Sequence, residues 1–518
     1  MEIITNFLKL VLHNIPLLGG AAFCLLIVLV FVLIKLNIRE KTSRLIDFIF
    51  IYSSKTIFFV YIIVGFIYLF YPNYLNHIEP TVAWLGVALK NGHPLYSIPV
   101  EYPYNGILYG PALFEIQAVF QWISGLSNII KSKLPGLLAL LFSAYILLRI
   151  NRSWLYRGYL LYLFPFGLML FWNRAEPFLI MIVSLSLLLG KSYAKSRYLP
   201  ILMGVLGGIA SAFKMHGAAY IFAAYLAVAA SSFSISSILL FSISSILSFS
   251  AFFLPHNVLF SGFWGYLKLA GTEHGLSFRL WMESITYLVF LLFPFIMLRR
   301  GIMLKRPTRV RLTIILIIEF IITIVASKYG NGFYHLLPLI PINAFLIQKS
   351  SEAVAVKKSM IKVLYASLVA VSFVVVLMDF ILPMAKSWRQ FDYAQKEIVY
   401  FEKKYPDLMM GVTDEHGYPY SFLRAMLRKR QIDYAAYMDL QVSGIKDDSL
   451  AEKLKNCEIY NILLPNTGMP FSLNNYYTFK PLFSENVREA FKSGYNLVEN
   501  GRCYSVFTCK KYSEERLR

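Results

Sequence analysis

Phe48-Ile-Phe-Ile-Tyr-Ser-Ser-Lys-Thr-Ile-Phe-Phe-Val-Tyr-Ile-Ile-Val-Gly-Phe-Ile-Tyr-Leu-Phe-Tyr71 runs straight into Pro72-Asn-Tyr-Leu-Asn-His-Ile-Glu-Pro80. The first stretch is long and apolar enough to cross a hydrocarbon core, which takes about 20 residues of helix. The second is polar and begins where such a helix would leave the lipid. Outward from this junction the pattern repeats in both directions, and about twelve spans of this kind can be read. They are Ile15 to Leu36, Phe48 to Tyr71, Leu134 to Ile150, Gly158 to Trp172, Phe178 to Gly190, Leu199 to Ala212, Gly217 to Ala230, Ser237 to Leu254, Trp281 to Leu298, Leu312 to Ala326, Leu336 to Ile347 and Ile361 to Leu382. The first is too long for a signal-peptide core and reads as a retained anchor.

Composition agrees. The chain has 518 residues, 57% hydrophobic and only 15% charged, more apolar surface than a soluble fold of that length can hide. Its net charge of +21 would suggest nucleic acid in a soluble protein. Here much of the excess falls in short runs between apolar spans, so no nucleic-acid partner is expected and the charge reads as topology. Arg39, Lys41 and Arg44, then Arg149, Arg152 and Arg157, then Lys191, Lys195 and Arg197, then Arg299 to Arg311, then Lys349, Lys357 and Lys358 mark cytoplasmic connections. That assignment sends Pro72 to Lys133, Asn173 to Pro177, Lys214 to His216, Pro255 to Arg279, Ser327 to His335 and the C-terminal tail to the other face.

Ile107 to Ile123 is apolar enough to cross but would invert every later loop. With Tyr102, Tyr104, Tyr109 and Trp122 at its flanks it reads as a helix lying in the outer interface. From about Met384 the composition turns to mixed charge, with β-prone runs at Leu408 to Thr413, Tyr434 to Met438 and Ile459 to Leu464, suggesting a small α/β domain. The expected organisation is an all-α membrane bundle over residues 1–384 and a soluble extracytoplasmic domain over 385–518. Cys457, Cys503 and Cys509 in the tail can supply one disulfide. The Ser-rich run Ser231 to Ser250 reads as helix packing through small residues.

The outer segments hold the chemistry. Glu79 sits at the low-dielectric edge, where it is either a general base or a helix N-terminal carboxylate. Arg174 and Glu176, in Trp172-Asn-Arg-Ala-Glu-Pro177, either border the same cavity or simply pair with each other. Lys214 and His216 end a span, and the alternative for Lys214 is snorkelling to the headgroups. Ser327-Lys-Tyr-Gly-Asn-Gly-Phe-Tyr-His335 adds Lys328, Tyr334 and His335 beside two glycines, and cations at such a depth suit a lipid-linked phosphate. Tyr96 and Tyr102 are further substrate-binding candidates. No cofactor is required by this reading; a divalent metal stays open, with His77, His93, Glu273 and His274 as candidate ligands whose spacing matches no familiar cage. Glu319 lies inside a span.

The Glu79 junction, the Gly-His-Pro-Leu-Tyr96 segment, the Tyr-Gly-Pro111 turn, Asn-Arg-Ala-Glu-Pro177 and Lys-Tyr-Gly-Asn-Gly-Phe-Tyr-His-Leu-Leu-Pro338 together resemble the loops of GT-C-fold glycosyltransferases. The relatives in view are protein O-mannosyltransferases, lipid A aminoarabinose transferases and related bacterial sugar transferases. The resemblance implies a polyprenyl-phosphate-linked sugar donor and a lipid, glycan or protein acceptor, with transfer at the extracytoplasmic face of the cell membrane. It also implies inversion with Glu79 as general base, Lys328, Tyr334 and His335 on the donor phosphate, and Arg174 and Glu176 orienting substrate. Many relatives have Asp in the first loop, often paired with a second acid, where this chain has a single Glu. A flippase, transporter or polymerase of lipid-linked glycans is the alternative reading.

Overall fold

The computed structural model describes residues 40–96, 106–150, 157–158, 160–161, 163, 170–229, 234–299, 306–351, 380–405, 407–427, 431, 434–444 and 448–511. The expected spans Ile15 to Leu36 and, for the most part, Gly158 to Trp172 and Ile361 to Leu382 lie outside those residues, as does Tyr102.

Helices α1 (Glu40–Phe70), α2 (Ile78–Lys90), α3 (Pro111–Phe120), α4 (Asn128–Ile150), α5 (Glu176–Ser192), α6 (Leu199–Ser211), α7 (Gly217–Val228), α8 (Ile235–Ala251), α9 (Phe260–Glu273), α10 (Phe278–Arg299) and α11 (Arg306–Ala326) lead to a 3-10 turn at Phe333–Leu339 and to α12 (Ile340–Ser351). The expected spans among the described residues fall on helices, save that Leu336 to Ile347 begins in the 3-10 turn and continues into α12. Asp47–Phe70 and Asn128–Ile150 are by themselves long and apolar enough to cross a membrane. Helix α8 makes the stronger case for a lipid solvent, because only Phe241 and Ser245 of it are buried, while Ile246 and Leu247 are 64% and 67% exposed. Water would not tolerate so continuous an apolar face; acyl chains would.

What holds α8 is the small-residue packing expected of the Ser-rich run. A Cβ on Gly204 would meet the Phe241 carbonyl oxygen at 2.4 Å, and one on Gly208 the Ser245 carbonyl oxygen at 2.3 Å. The four-residue spacing of these glycines lets the two backbones touch, as small-xxx-small pairs do in membranes.

Helix α3 opens as the Tyr-Gly-Pro turn implies, with Gly110 as its N-cap and Pro111 in the first turn. At 10 residues it is about 15 Å long and cannot cross. It lies against α2 and close to the α6–α7 loop, to which Gly110 and Ala112 donate backbone hydrogen bonds at 3.0 Å each (acceptors Phe213 and Ala212). The stretch Pro255 to Arg279, expected as a connection on the outer face, contains a helix. Phe260, Phe263, Trp264 and Leu267 recur at helical spacing and form α9, with Phe263 and Tyr266 buried; the interspersed glycines had masked the period.

The C-terminal part continues with α13 (Leu382–Lys404), β1 (Leu408–Met410), a 3-10 segment at Tyr418–Met426, α14 (Tyr434–Val442), α15 (Ser449–Lys455), β2 (Asn461–Pro465), α16 (Glu485–Gly494), β3 (Tyr495–Asn500) and β4 (Tyr504–Cys509). Helix α13 runs unbroken across residues 384–385. The sheet order is β1-β2-β4-β3, with β1 and β2 parallel and the other pairs antiparallel. Two of the three β-prone runs are strands. The third, Tyr434 to Met438, is the first part of α14, where the neighbouring Ala435 and Ala436 favour helix over the strand tendency of the tyrosines. A second hydrophobic cluster, including Ile462, Leu464, Phe471 and Phe491, packs around the sheet, and Cys457 is bonded to Cys509.

This part rests on the first polar loop. Gln395 Nε2 donates to the Pro72 carbonyl at 2.6 Å, Asn73 Nδ2 to the Pro419 carbonyl at 2.9 Å and Asn128 Nδ2 to the Ala425 carbonyl at 3.2 Å. The Arg424 guanidinium, 1% exposed, donates to the Thr81 hydroxyl. Gly208→Leu is expected to force α6 and α8 apart at a cost of about 1–3 kcal/mol, lowering the melting temperature of the detergent-solubilised protein; an unchanged melting curve would contradict the close packing of these helices.

Candidate functional site

Glu79 stands in the first turn of α2 and is 0% exposed. Its Oε1 accepts from the Tyr68 hydroxyl and from the Asn173 backbone N–H at 2.9 Å. Among the described residues its Oε2 accepts only from the Leu75 and Asn76 amides, at 3.3 and 3.2 Å. The carboxylate therefore serves as the helix N-terminal anion that one reading of the sequence expected, and it also ties the first polar loop to the second. Asn173 completes the link: its Nδ2 donates to the Glu79 carbonyl at 3.0 Å and its Oδ1 accepts from Gln117 of α3 at 2.6 Å. On the other side Lys133, 1% exposed, donates to the carbonyls of Tyr68, Tyr71 and Asn73 at 3.0, 2.7 and 2.6 Å. It caps the C-terminal end of α1, where carbonyls lack helical partners. Sequence reading passed over Lys133 and Asn173; a lysine one residue ahead of an apolar span looks like an interfacial anchor.

The second loop brings together most of the remaining candidates. Glu176 Oε1 accepts from Lys214 Nζ at 2.5 Å, and its Oε2 lies 3.6 Å from Arg174 Nε. Arg174 Nε donates to the Tyr109 hydroxyl at 2.8 Å, and the guanidinium sits 4.4 and 4.2 Å from the ring centres of Trp172 and Tyr334. Lys214 Nζ is 3.5 Å from His335 Nε2, and His335 Nδ1 is 3.1 Å from His216 Nε2. The Tyr220 hydroxyl holds the His335 carbonyl at 2.5 Å. Arg174, Glu176 and Lys214 are all buried, so Lys214 does not snorkel. The Glu176 carboxylate draws it inward, and the pairing offsets the cost of desolvation.

Two cations against one carboxylate leave one net positive charge. Burial lowers the Lys214 ammonium to about 8, with Glu176 pulling it up and Arg174 pushing it down. Burial, then the charge of Lys214, takes His216 down to about 3, and His335 is likewise held well below its usual value. Both histidines are thus neutral near pH 7 and offer hydrogen bonds, not charge. Among the described residues, Glu176 Oε2 and the Trp172 indole N–H have no hydrogen-bond partner, one acceptor and one donor left over in the same cluster.

Other candidates fall elsewhere. Tyr96 is buried under α9, donating to the Tyr109 carbonyl at 2.6 Å, and so supports the cluster from behind. Lys328 forms a bridge with Leu276 in the connection before the 3-10 turn. The metal candidates do not converge, and no group of three ligating side chains exists among the described residues. His77 Nε2 lies 3.4 Å from the Tyr477 hydroxyl and His274 Nδ1 3.2 Å from the Tyr329 carbonyl; the Glu273 side chain lies outside the described set. Helix α2 separates His77 from His93 by some four turns.

The loops that meet here all lie at one end of the bundle. At the opposite end basic residues cap helix C-termini, Lys191 on the Ile150 carbonyl at 2.5 Å and Arg311 on that of Ala229. By sequence, no family model and no curated protein matches the chain. By structure, ArnT from Cupriavidus metallidurans bound to undecaprenyl phosphate aligns over 87% of this chain and 97% of its own, with a TM-score of 0.51 at 13% identity. Its apo state aligns over the same shares with a TM-score of 0.52 at 12% identity. The chain thus shares its overall fold with ArnT, and the likeness takes in most of its length.

Glu176→Gln is expected to leave Arg174 and Lys214 buried without their carboxylate, destabilising the protein by about 3–5 kcal/mol. Adding Lys214→Met, which removes one of the two stranded cations, should recover part of that loss in thermal unfolding. Additive losses in the double variant would show that the two side chains do not form the pair described.

Proposed function

We propose that the chain is an integral-membrane glycosyltransferase that moves a sugar from a polyprenyl-phosphate donor to an acceptor hydroxyl, with inversion, on the extracytoplasmic face of the cell membrane. The observation that carries this reading is the buried, net-positive cluster of Arg174 and Lys214 around Glu176, set at one end of an ArnT-like bundle. ArnT itself was captured with undecaprenyl phosphate, a ligand of the chemistry such a cluster suits. A phosphate diester brings one negative charge, and Arg174 and Lys214 stabilise the second as the leaving phosphate forms. The Trp172 N–H and the Tyr109 hydroxyl lie close enough to contribute neutral donors. His335 and Tyr334 line the same cluster, and the loop resemblance assigns them, with Lys328, to the donor phosphate.

Glu79 is the proposed base. Oε1 is held by its shorter contacts with Tyr68 and Asn173, which fix the carboxylate. Among the described residues Oε2 has only two long amide contacts, so an acceptor hydroxyl entering as the first loop opens can displace one of them and give up its proton there. The part of the chain after Leu382, which rests on that loop, is proposed to be extracytoplasmic and to govern the opening.

The test is transfer by purified protein from a panel of polyprenyl-phosphate sugars. Glu79→Gln should lower kcat by about 100-fold or more, the usual scale for a lost general base, with donor KM nearly unchanged. Full activity in that variant would remove Glu79 from the chemistry, and donor translocation without transfer would make the protein a flippase. Because Lys214 is charged below about 8 and neutral above, donor KM should be lowest on the acid side of pH 8 and rise as pH climbs past it. A donor KM flat from pH 7 to roughly two units above the lysine value would take Lys214 off the phosphate.

A further inference from the structure

A cavity of about 370 Å³ opens at the end of the bundle opposite the Glu79 and Glu176 loops, lined by Lys55, Phe58, Tyr145, Leu148, Arg149, Arg157 and Leu161. Three chain segments build it, and each supplies one cation and at least one apolar side chain. Helix α1 gives Lys55 and Phe58, three residues apart and so on one face. Helix α4 gives Leu148 and Arg149, with the Arg149 guanidinium 4.9 Å from the Tyr145 ring centre. The segment after α4 gives Arg157 and Leu161, one helical turn apart.

Depth follows from helix rise. Arg149 is 16 residues beyond Lys133 in α4, about 24 Å along the axis, and Lys133 already lies beneath the first polar loop. That distance approaches the thickness of a hydrocarbon core, so Arg149 stands at the headgroup level of the leaflet away from the acid–base cluster, and Lys55, seven residues inside the span that begins at Phe48, reaches that level with its long side chain. Phe58 lies one turn deeper than Lys55 on α1. The cavity thus joins positive charge at headgroup level to apolar wall at acyl level, a combination that a free anion uses only in part.

We propose that this cavity is a binding site for an anionic phospholipid of that leaflet, with the phosphate held by Lys55, Arg149 and Arg157 and the first methylenes of an acyl chain against Phe58, Leu148 and Leu161. The site is separate from the donor cluster and does not depend on the transferase reading. It gives the bundle a fixed lipid contact at the end where α1, α4 and the following segment meet.

Full-length protein would be reconstituted in nanodiscs of phosphatidylcholine with a minority of phosphatidylglycerol, released into detergent and weighed by native mass spectrometry. Wild type is expected to retain phosphatidylglycerol in preference to phosphatidylcholine. Each of Lys55→Gln, Arg149→Gln and Arg157→Gln should lower that retention on the order of fivefold, while Arg149→Lys and Arg157→Lys keep most of it and show that the fold survives. Added inorganic phosphate should not displace the lipid. Equal retention of both lipids by wild type, or unchanged retention in the triple glutamine variant, would overturn the site, and displacement by millimolar phosphate would make it a simple anion site instead.

Discussion

The Glu176–Lys214 pair can exist only because three separate loops end at the same depth. Glu176 opens α5, Lys214 closes the turn between α6 and α7, and His335 arrives from the connection after α11. Charges buried this far from water must satisfy one another or neutralise. Their mutual distances therefore fix how α5, α6 and the 3-10 turn before α12 sit together, much as Glu79 and Lys133 fix α1, α2 and α4 through backbone groups. The two constellations join through the second loop, where Asn173 contacts Glu79 and the next residue, Arg174, reaches Glu176. One polar chain thus sets the geometry of the whole end of the bundle, while the apolar faces of α1 and α8 are left to lipid.

Much of this was legible in the sequence. Apolar runs such as Phe178 to Gly190 became α5 with its ends shifted by two residues, because a 3.6-residue period and a bilayer length constrain a helix from both directions. The Ser-rich run did pack through small residues. Arg174, Glu176, Lys214, His216, Tyr334 and His335, scattered over three loops, do meet in space. Charge next to a span end is costly in a membrane, which is why so sparse a set of residues carried so much information.

What was not legible depended on partners far away in the chain. Lys133 looks like any interfacial lysine until the carbonyls of Tyr68, Tyr71 and Asn73 are seen around it. Asn173 is an ordinary loop residue until Glu79 and Gln117 are beside it. Helix α9 escaped because glycines interrupt its apolar stripe, and α14 because tyrosines and alanines pull in opposite directions over a short stretch. The strands β3 and β4 owe their pairing to β2, a long-range contact that local pattern does not report.

The neutral histidines sharpen the electrostatic argument. Were His216 and His335 charged, the cluster would hold four cations around one carboxylate, and the cost of desolvating them would drive the loops apart. Held neutral by burial and by Lys214, they fill the space between Lys214 and Tyr220 without adding charge. The His335 ring lies nearly parallel to that of His216, 4.9 Å away, and its Nε2 can accept from Lys214 and so point the ammonium. In the proposed reaction the single net positive charge that remains would match the one negative charge of the donor's phosphate diester. A second charge developing on the leaving group would meet Arg174 and Lys214 already in place, which is the condition for stabilising a transition state more than its ground state.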